Sequence, residues 1–128
     1  MMELALLSPW FFFLFVGLLD WGFYAYSLVT LETATRAATS WNANHNDPTN
    51  AVLACQIVTS EMQTLINMSG VTTCGGTSAV SVSATQVNGP DSAPAAQVAV
   101  TYTTPSLIPI PGLLAKQFTI TRVVVMRI

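Results

Sequence analysis

Residues 4–19 read LALLSPWFFFLFVGLL, sixteen positions without a single charge. After Asp20 the apolar run resumes as WGFYAYSLVTL, so residues 4–31 form a stretch of 28 broken by one carboxylate. Wound as a helix at about 1.5 Å per residue, it reaches roughly 42 Å, more than the roughly 30 Å hydrocarbon core of a bilayer. One membrane-spanning helix therefore fits, with its far end emerging. Counted from Leu4, Asp20 lies about 24 Å along the axis, near the far hydrocarbon boundary. It is expected to end the lipid-buried part, with Trp21, Tyr24 and Tyr26 as an interfacial aromatic belt beside it. Glu3 flanks the other end, and both carboxylates are costly in lipid unless paired or interfacial.

Two simpler readings compete. A plain membrane anchor explains the length and hydropathy. A cleaved secretory signal fits less well, because no Lys or Arg precedes the run, the run is too long and aromatic, and Ala25-Tyr26-Ser27 makes a poor cleavage site.

The whole chain leans the same way. Its 128 residues suffice for one ordinary domain with appendages. Only 8% of them are charged and 52% are hydrophobic, where a soluble globular protein carries about 25% charge. With a mean hydropathy of +0.54, much of the chain must lie in a bilayer or against other protein copies. A soluble cytosolic monomer is disfavoured. A net charge of −2 and a pI near 5.0 leave no basic patch for phosphates, which argues against nucleic acid as a partner.

Beyond the apolar run, residues 30–41 are rich in small side chains (Thr33, Ala34, Thr35, Ala37, Ala38, Thr39). These suit either close approach of a neighbouring helix or an exposed helix of fair propensity. The segment NANHNDPTN (residues 42–50) is a polar break. Within it, Asp47-Pro48 reads as an acidic cap followed by a first-turn proline. Ala51, Cys55, Val58, Met62, Leu65 and Ser69 recur at helical spacing, which predicts a second, amphipathic helix to about Met68, stopped by Gly70. From Val71 the period falls to two. Val80, Val82 and Ala84 mark one strand, Val98, Val100 and Tyr102 a second, and Phe118, Ile120 and Val124 a third. Val123 and Val125 make the third apolar on both faces, as in a covered strand. The expected fold class is α+β: a long hydrophobic helix over residues 1–41, then a head over 42–128 with three antiparallel strands against one helix.

A bond between Cys55 and Cys74 would close a loop of about 20 residues and add roughly 3 kcal/mol. A small head with a Ser- and Thr-rich surface favours that staple and an oxidising compartment; two buried free thiols are the alternative. No metal site emerges from one His, two Cys and scattered carboxylates, and Cys74-Gly75-Gly76 lacks the rest of any phosphate loop. His45 lies two residues from Asp47 with no further partner, so neither catalysis nor a cofactor nor a small-molecule substrate is expected. Asn67-Met68-Ser69 has the pattern of a glycosylation sequon.

Glu3, an apolar run holding Pro9, then Gly17-Leu18-Leu19-Asp20-Trp21-Gly22, Tyr24, and Glu32 to Arg36 in a small-residue stretch together resemble the amino terminus of TadE-like proteins. These are pilin-related subunits of the tight-adherence type of type IV pilus system. The carboxyl end is similar too, in residues 98–102, a Pro- and Leu-rich break over 107–114 and a closing strand over 120–127. The resemblance covers about residues 3–40 and 97–127. Such pilins carry a short, often basic leader that a peptidase removes, with the family glutamate a few residues after the cut. Only Met1 and Met2 precede Glu3 here, which is read either as a processed chain or as a shifted register.

The resemblance implies a structural subunit of an extracellular pilus-like filament, held in the inner membrane before polymerisation and partnered by copies of itself or other pilin-like subunits. Residues Pro9, Trp10, Phe11, Phe12, Phe13, Phe15, Gly17, Trp21 and Gly22 would then pack in the membrane and afterwards in the filament core. Glu3, Asp20 and Arg36 would be assembly residues. Glu3 is expected to pair with a neighbour's α-amino group. Asp20 would reach Arg36 of an axially shifted copy, or bond hydroxyls such as Ser27 or Thr30 of neighbours, or be protonated. The alternative is a membrane-anchored assembly or binding factor that never polymerises.

Overall fold

The computed structural model describes residues 2–105 and 117–128, residues 2–5 by their backbone. A single helix, α1 (Met2–Asn44), carries the apolar run and continues straight through the small-residue stretch. At about 1.5 Å per residue it is about 65 Å long. Pro9 lies inside it; lacking an N–H, Pro9 leaves the Ala5 carbonyl without its helical donor. After a turn through Asn46, whose φ is +53°, comes α2 (Ala51–Glu61). Three strands follow, β1 (Val80–Asn88), β2 (Pro94–Thr103) and β3 (Thr119–Arg127). They form one antiparallel sheet in the order β1-β2-β3. The fold class is α+β, as the periodicities predict. The Pro- and Leu-rich break over 107–114 lies outside the described residues.

The head uses two helices where one was expected. The second half of α1 packs on β2 and β3, and α2 packs on α1 and β1. Leu31, Ala34 and Ala38 of α1, Ala54 and Val58 of α2, and Val98, Val100 and Tyr102 of β2 form one buried cluster. One side of the small-residue stretch (Ala34, Thr35, Ala38 and Thr39) is thus covered by this chain's own head, while Thr33 on the other side is exposed. Ala34 and Ala38 let the sheet and α2 approach the α1 backbone. Thr35 and Thr39 are buried as well, and each hydroxyl donates to the carbonyl one turn earlier, to Leu31 and Thr35 at 2.7 Å. Such back-bonding satisfies a buried hydroxyl without a partner element.

The second helix ends at Glu61, one to two turns earlier than the spacing predicts. The apolar positions nevertheless stay buried, because single turns bonded Leu65 N–H to Met62 O and Met68 N–H to Leu65 O replace the α-helical ladder. In this tighter, three-residue rhythm Met62, Leu65 and Met68 face the core and Ser69, placed on the stripe by the helical spacing, is exposed. The helix start is corrected too. The cap is Asn50, whose side-chain oxygen accepts from Leu53 N–H at 3.0 Å; Asp47 instead receives the Asn50 amide at 2.9 Å.

Both helices lie on the sheet face of Val82, Val98, Val100, Tyr102 and Ile120. On the other face Val123 is 52% and Val125 is 48% exposed, so β3 is not covered on both sides by this chain. Cys55 and Cys74 are joined, with Cα atoms 5.9 Å apart, tying α2 to the start of the sheet. Gly75 and Gly76, at φ of +88° and +64°, turn the chain left-handed directly after the bond, a conformation that glycine adopts without Cβ strain. Tyr102, fully buried, donates its hydroxyl to Ile66 O at 2.8 Å. Burial pushes this phenol above the usual tyrosine range.

Candidate membrane and assembly interface

The first half of α1 has no cover. Trp10, Phe11, Phe12, Phe13, Leu14 and Phe15 are all more than half exposed, and Leu18 reaches 72%. Consecutive apolar residues step about 100° around a helix, so this run is apolar on every side. No stripe is left to dock on the head. The most hydrophobic 18-residue window, of mean hydropathy 1.6, has no buried residue. Such a surface is stable in hydrocarbon or against copies of similar composition.

Gly17 and Gly22 sharpen the point. A Cβ added at either meets nothing within 4 Å. This chain's own packing therefore gives no reason for glycine there, whereas a helix from another molecule would use the missing side chains to approach closely.

The head begins where the bare run ends. Residues 2–22 rise about 32 Å, one hydrocarbon thickness. Tyr24 and Leu28 are the first side chains packed against the core, and Ser27 and Leu31 are buried. The expected aromatic belt is divided by this docking. Trp21 is 74% exposed, Tyr24 packs on Phe118 with ring centroids 5.6 Å apart, and Tyr26 donates to the Thr64 hydroxyl at 2.9 Å. Phe118 was expected within the third strand; it precedes β3 and meets the helix instead. Nothing local in the sequence marks that contact, which depends on the chain returning to α1 after two strands.

Asp20 is half-buried beside Trp21, Tyr24 and Phe118. Arg36, 16 residues further along α1, bonds Glu32 of the preceding turn at 2.6 Å. Within one chain the two are about 24 Å apart along the axis. The hydroxyls of Ser27 and Thr30 donate to the Phe23 and Tyr26 carbonyls. Glu3 belongs to α1 by its backbone; its side chain lies outside the described residues.

The His45 and Asp47 side chains do not meet as a pair. His45 stacks on Trp41, with centroids 3.8 Å and planes 13° apart, and its Nδ1 bonds the Trp41 carbonyl. Asp47 is engaged by Asn50. Among the described residues no three His, Cys, Asp or Glu side chains gather as a metal site would require.

Residues 1–40 match the family model described as TadE-like protein. No curated protein and no solved structure matches the chain. The matched segment contains the whole bare half of α1 and the first part of its head-packed half, and with the apolar helix it fits a pilus-associated membrane protein.

Proposed function

We propose that this chain is a structural, non-enzymatic subunit of a pilus-like filament. It is held in the inner membrane by the first half of α1 before assembly, and carried to the cell surface when that half packs among copies of itself or of related subunits. The observation that supports this reading is the helix of one bilayer thickness, apolar on all sides, bare in the isolated chain and carrying two glycines that its own fold does not use. A transfer from lipid to a bundle of like helices keeps Phe11 to Phe15 out of water throughout, so polymerisation needs no refolding of the head.

Glu3 serves assembly in this reading. In a bundle a carboxylate near the start of the helix needs a partner, and a neighbour's α-amino group supplies one. Asp20 meets polar or basic groups of axially shifted copies. The test is a cell producing Glu3→Ala or Gly17→Leu in place of the natural chain. Both variants should reach the membrane in normal amount and be depleted from sheared surface filaments. Natural chain found only in the membrane and absent from sheared filaments would instead identify a non-polymerising assembly or binding factor.

A further inference from the structure

At the collar between the bare half of α1 and the head lies a half-open cavity of about 250 Å³ lined, among the described residues, by Asp20, Trp21, Tyr24 and Phe118. Its rings stand as walls. Trp21 and Tyr24 have centroids 6.4 Å apart with planes at 74°, and Tyr24 and Phe118 are 5.6 Å apart at 59°. Rings at these separations touch edge to face, and the cavity lies beside the group they form. The outermost wall is held from behind: Phe118 N–H donates to the Thr104 hydroxyl at 3.0 Å, and Phe118 O accepts from Thr104 N–H at 2.9 Å. Thr104 itself is buried, so Phe118 is positioned before anything binds.

The fourth side is Asp20. Among the described residues the ion pairs are Glu32 with Arg36 and Asp91 with Arg127; none engages Asp20. A carboxylate beside three aromatic rings has the chemistry of an ammonium site. The ring quadrupoles attract the cation's body, and the carboxylate neutralises it and accepts its N–H groups. An anion is repelled by the same carboxylate. Depth narrows the source: with residues 2–22 spanning about one hydrocarbon thickness, the cavity lies at headgroup level.

We propose that this cavity binds the ammonium group of a zwitterionic phospholipid headgroup, with Asp20 as its counter-ion and Trp21, Tyr24 and Phe118 as its cage. Before assembly the bound headgroup neutralises Asp20 at the membrane surface. The site rests on the membrane-anchored part of the proposed function and is independent of polymerisation.

The experiment uses the full chain in nanodiscs of phosphatidylglycerol with graded phosphatidylethanolamine, with the lipids that stay bound after mild extraction counted by native mass spectrometry. The natural chain should retain phosphatidylethanolamine about five-fold over phosphatidylglycerol, the scale of one cation–π and carboxylate contact. Asp20→Asn should abolish the preference and Phe118→Leu should weaken it, with the head's thermal transition unchanged in Asp20→Asn. Equal retention of both lipids by the natural chain, or a preference untouched by Asp20→Asn, overturns the site while leaving the membrane anchor standing. A chain that fails to enter nanodiscs overturns the anchor and the site together. If Asp20→Asn changes self-association in pure phosphatidylglycerol discs and leaves lipid retention as it was, the ammonium belongs to another copy of the chain and the lipid site is refuted.

Discussion

The two halves of α1 are one unbroken helix with opposite chemistries. The first half is large, aromatic and apolar all round, and its side chains from Trp10 to Phe15 are all more than half exposed. The second half is small and hydroxyl-rich, and its buried threonines bond their own helix carbonyls. Bulk and apolarity on every side suit a helix whose surroundings are lipid or other helices. Small residues on one side suit a helix that must let a sheet and a second helix come close. Helix continuity across the junction joins the bare half to the head without an intervening loop.

This contrast is most sharply tested by paired leucine truncations. Leu31→Ala in the buried half should lower the stability of the head by about 2–5 kcal/mol through the cavity it leaves. Leu18→Ala in the bare half should leave it unchanged within about 0.5 kcal/mol. Denaturant unfolding of both variants in detergent micelles, followed by a head-specific probe, reads the difference; equal losses would mean that the bare half packs on the head.

Replacing both cysteines, Cys55→Ser with Cys74→Ser, should lower head stability by roughly 3 kcal/mol, for a bond closing across a sequence separation of 19. Membrane insertion of the bare half should be unaffected. Peptide mapping without reduction should find the two linked, and alkylatable thiols in the natural chain would contradict the structure.

Tyr102→Phe should cost about 1 kcal/mol by leaving the Ile66 carbonyl without its donor. It should also change the alkaline limb. Burial raises the folded phenol's pKa, so the folded state keeps a proton that the unfolded state has released. Stability from this group is therefore full below the unfolded value near pH 10 and declines as the pH rises from there through the folded value. Unfolding measured between pH 8 and 11, a range of about 3 units around that value, should steepen in its loss for the natural chain and be flatter in Tyr102→Phe.

The smallest effect is expected at the exposed Glu32 and Arg36 pair on the second half of α1. Glu32→Gln should change head stability by no more than about 0.5 kcal/mol. If the same variant impairs filament formation, Glu32 serves assembly and the pair is more than a helix-stabilising one.

Some elements were legible in the residues alone because their causes are local. Hydropathy marks residues 4–31, alternation marks the strands at Val80 to Ala84 and Val98 to Tyr102, and Gly70 with its neighbours marks the break before them. The errors fall where local preference is outvoted. Asp47-Pro48 is a good helix start in isolation, yet Asn50 caps α2 because its side chain reaches Leu53. Ser69 lies on a helical stripe only if the helix continues, and the tighter turns after Glu61 bring Met68 inward instead. Val123 and Val125 read as a covered strand, but both helices settle on the opposite face.

The sequence by itself determined that a long apolar helix precedes a small α+β head, because charge, hydropathy and periodicity depend on neighbours a few positions apart. It also narrowed the cysteines to a single possible pairing within the chain. Only the tertiary structure decided which half of that helix the head covers, which face of the sheet stays open, and that Phe118 lines a pocket with Asp20, Trp21 and Tyr24. Those outcomes depend on contacts between residues dozens of positions apart, where packing volume and the return path of the chain choose among arrangements that local preference leaves equal.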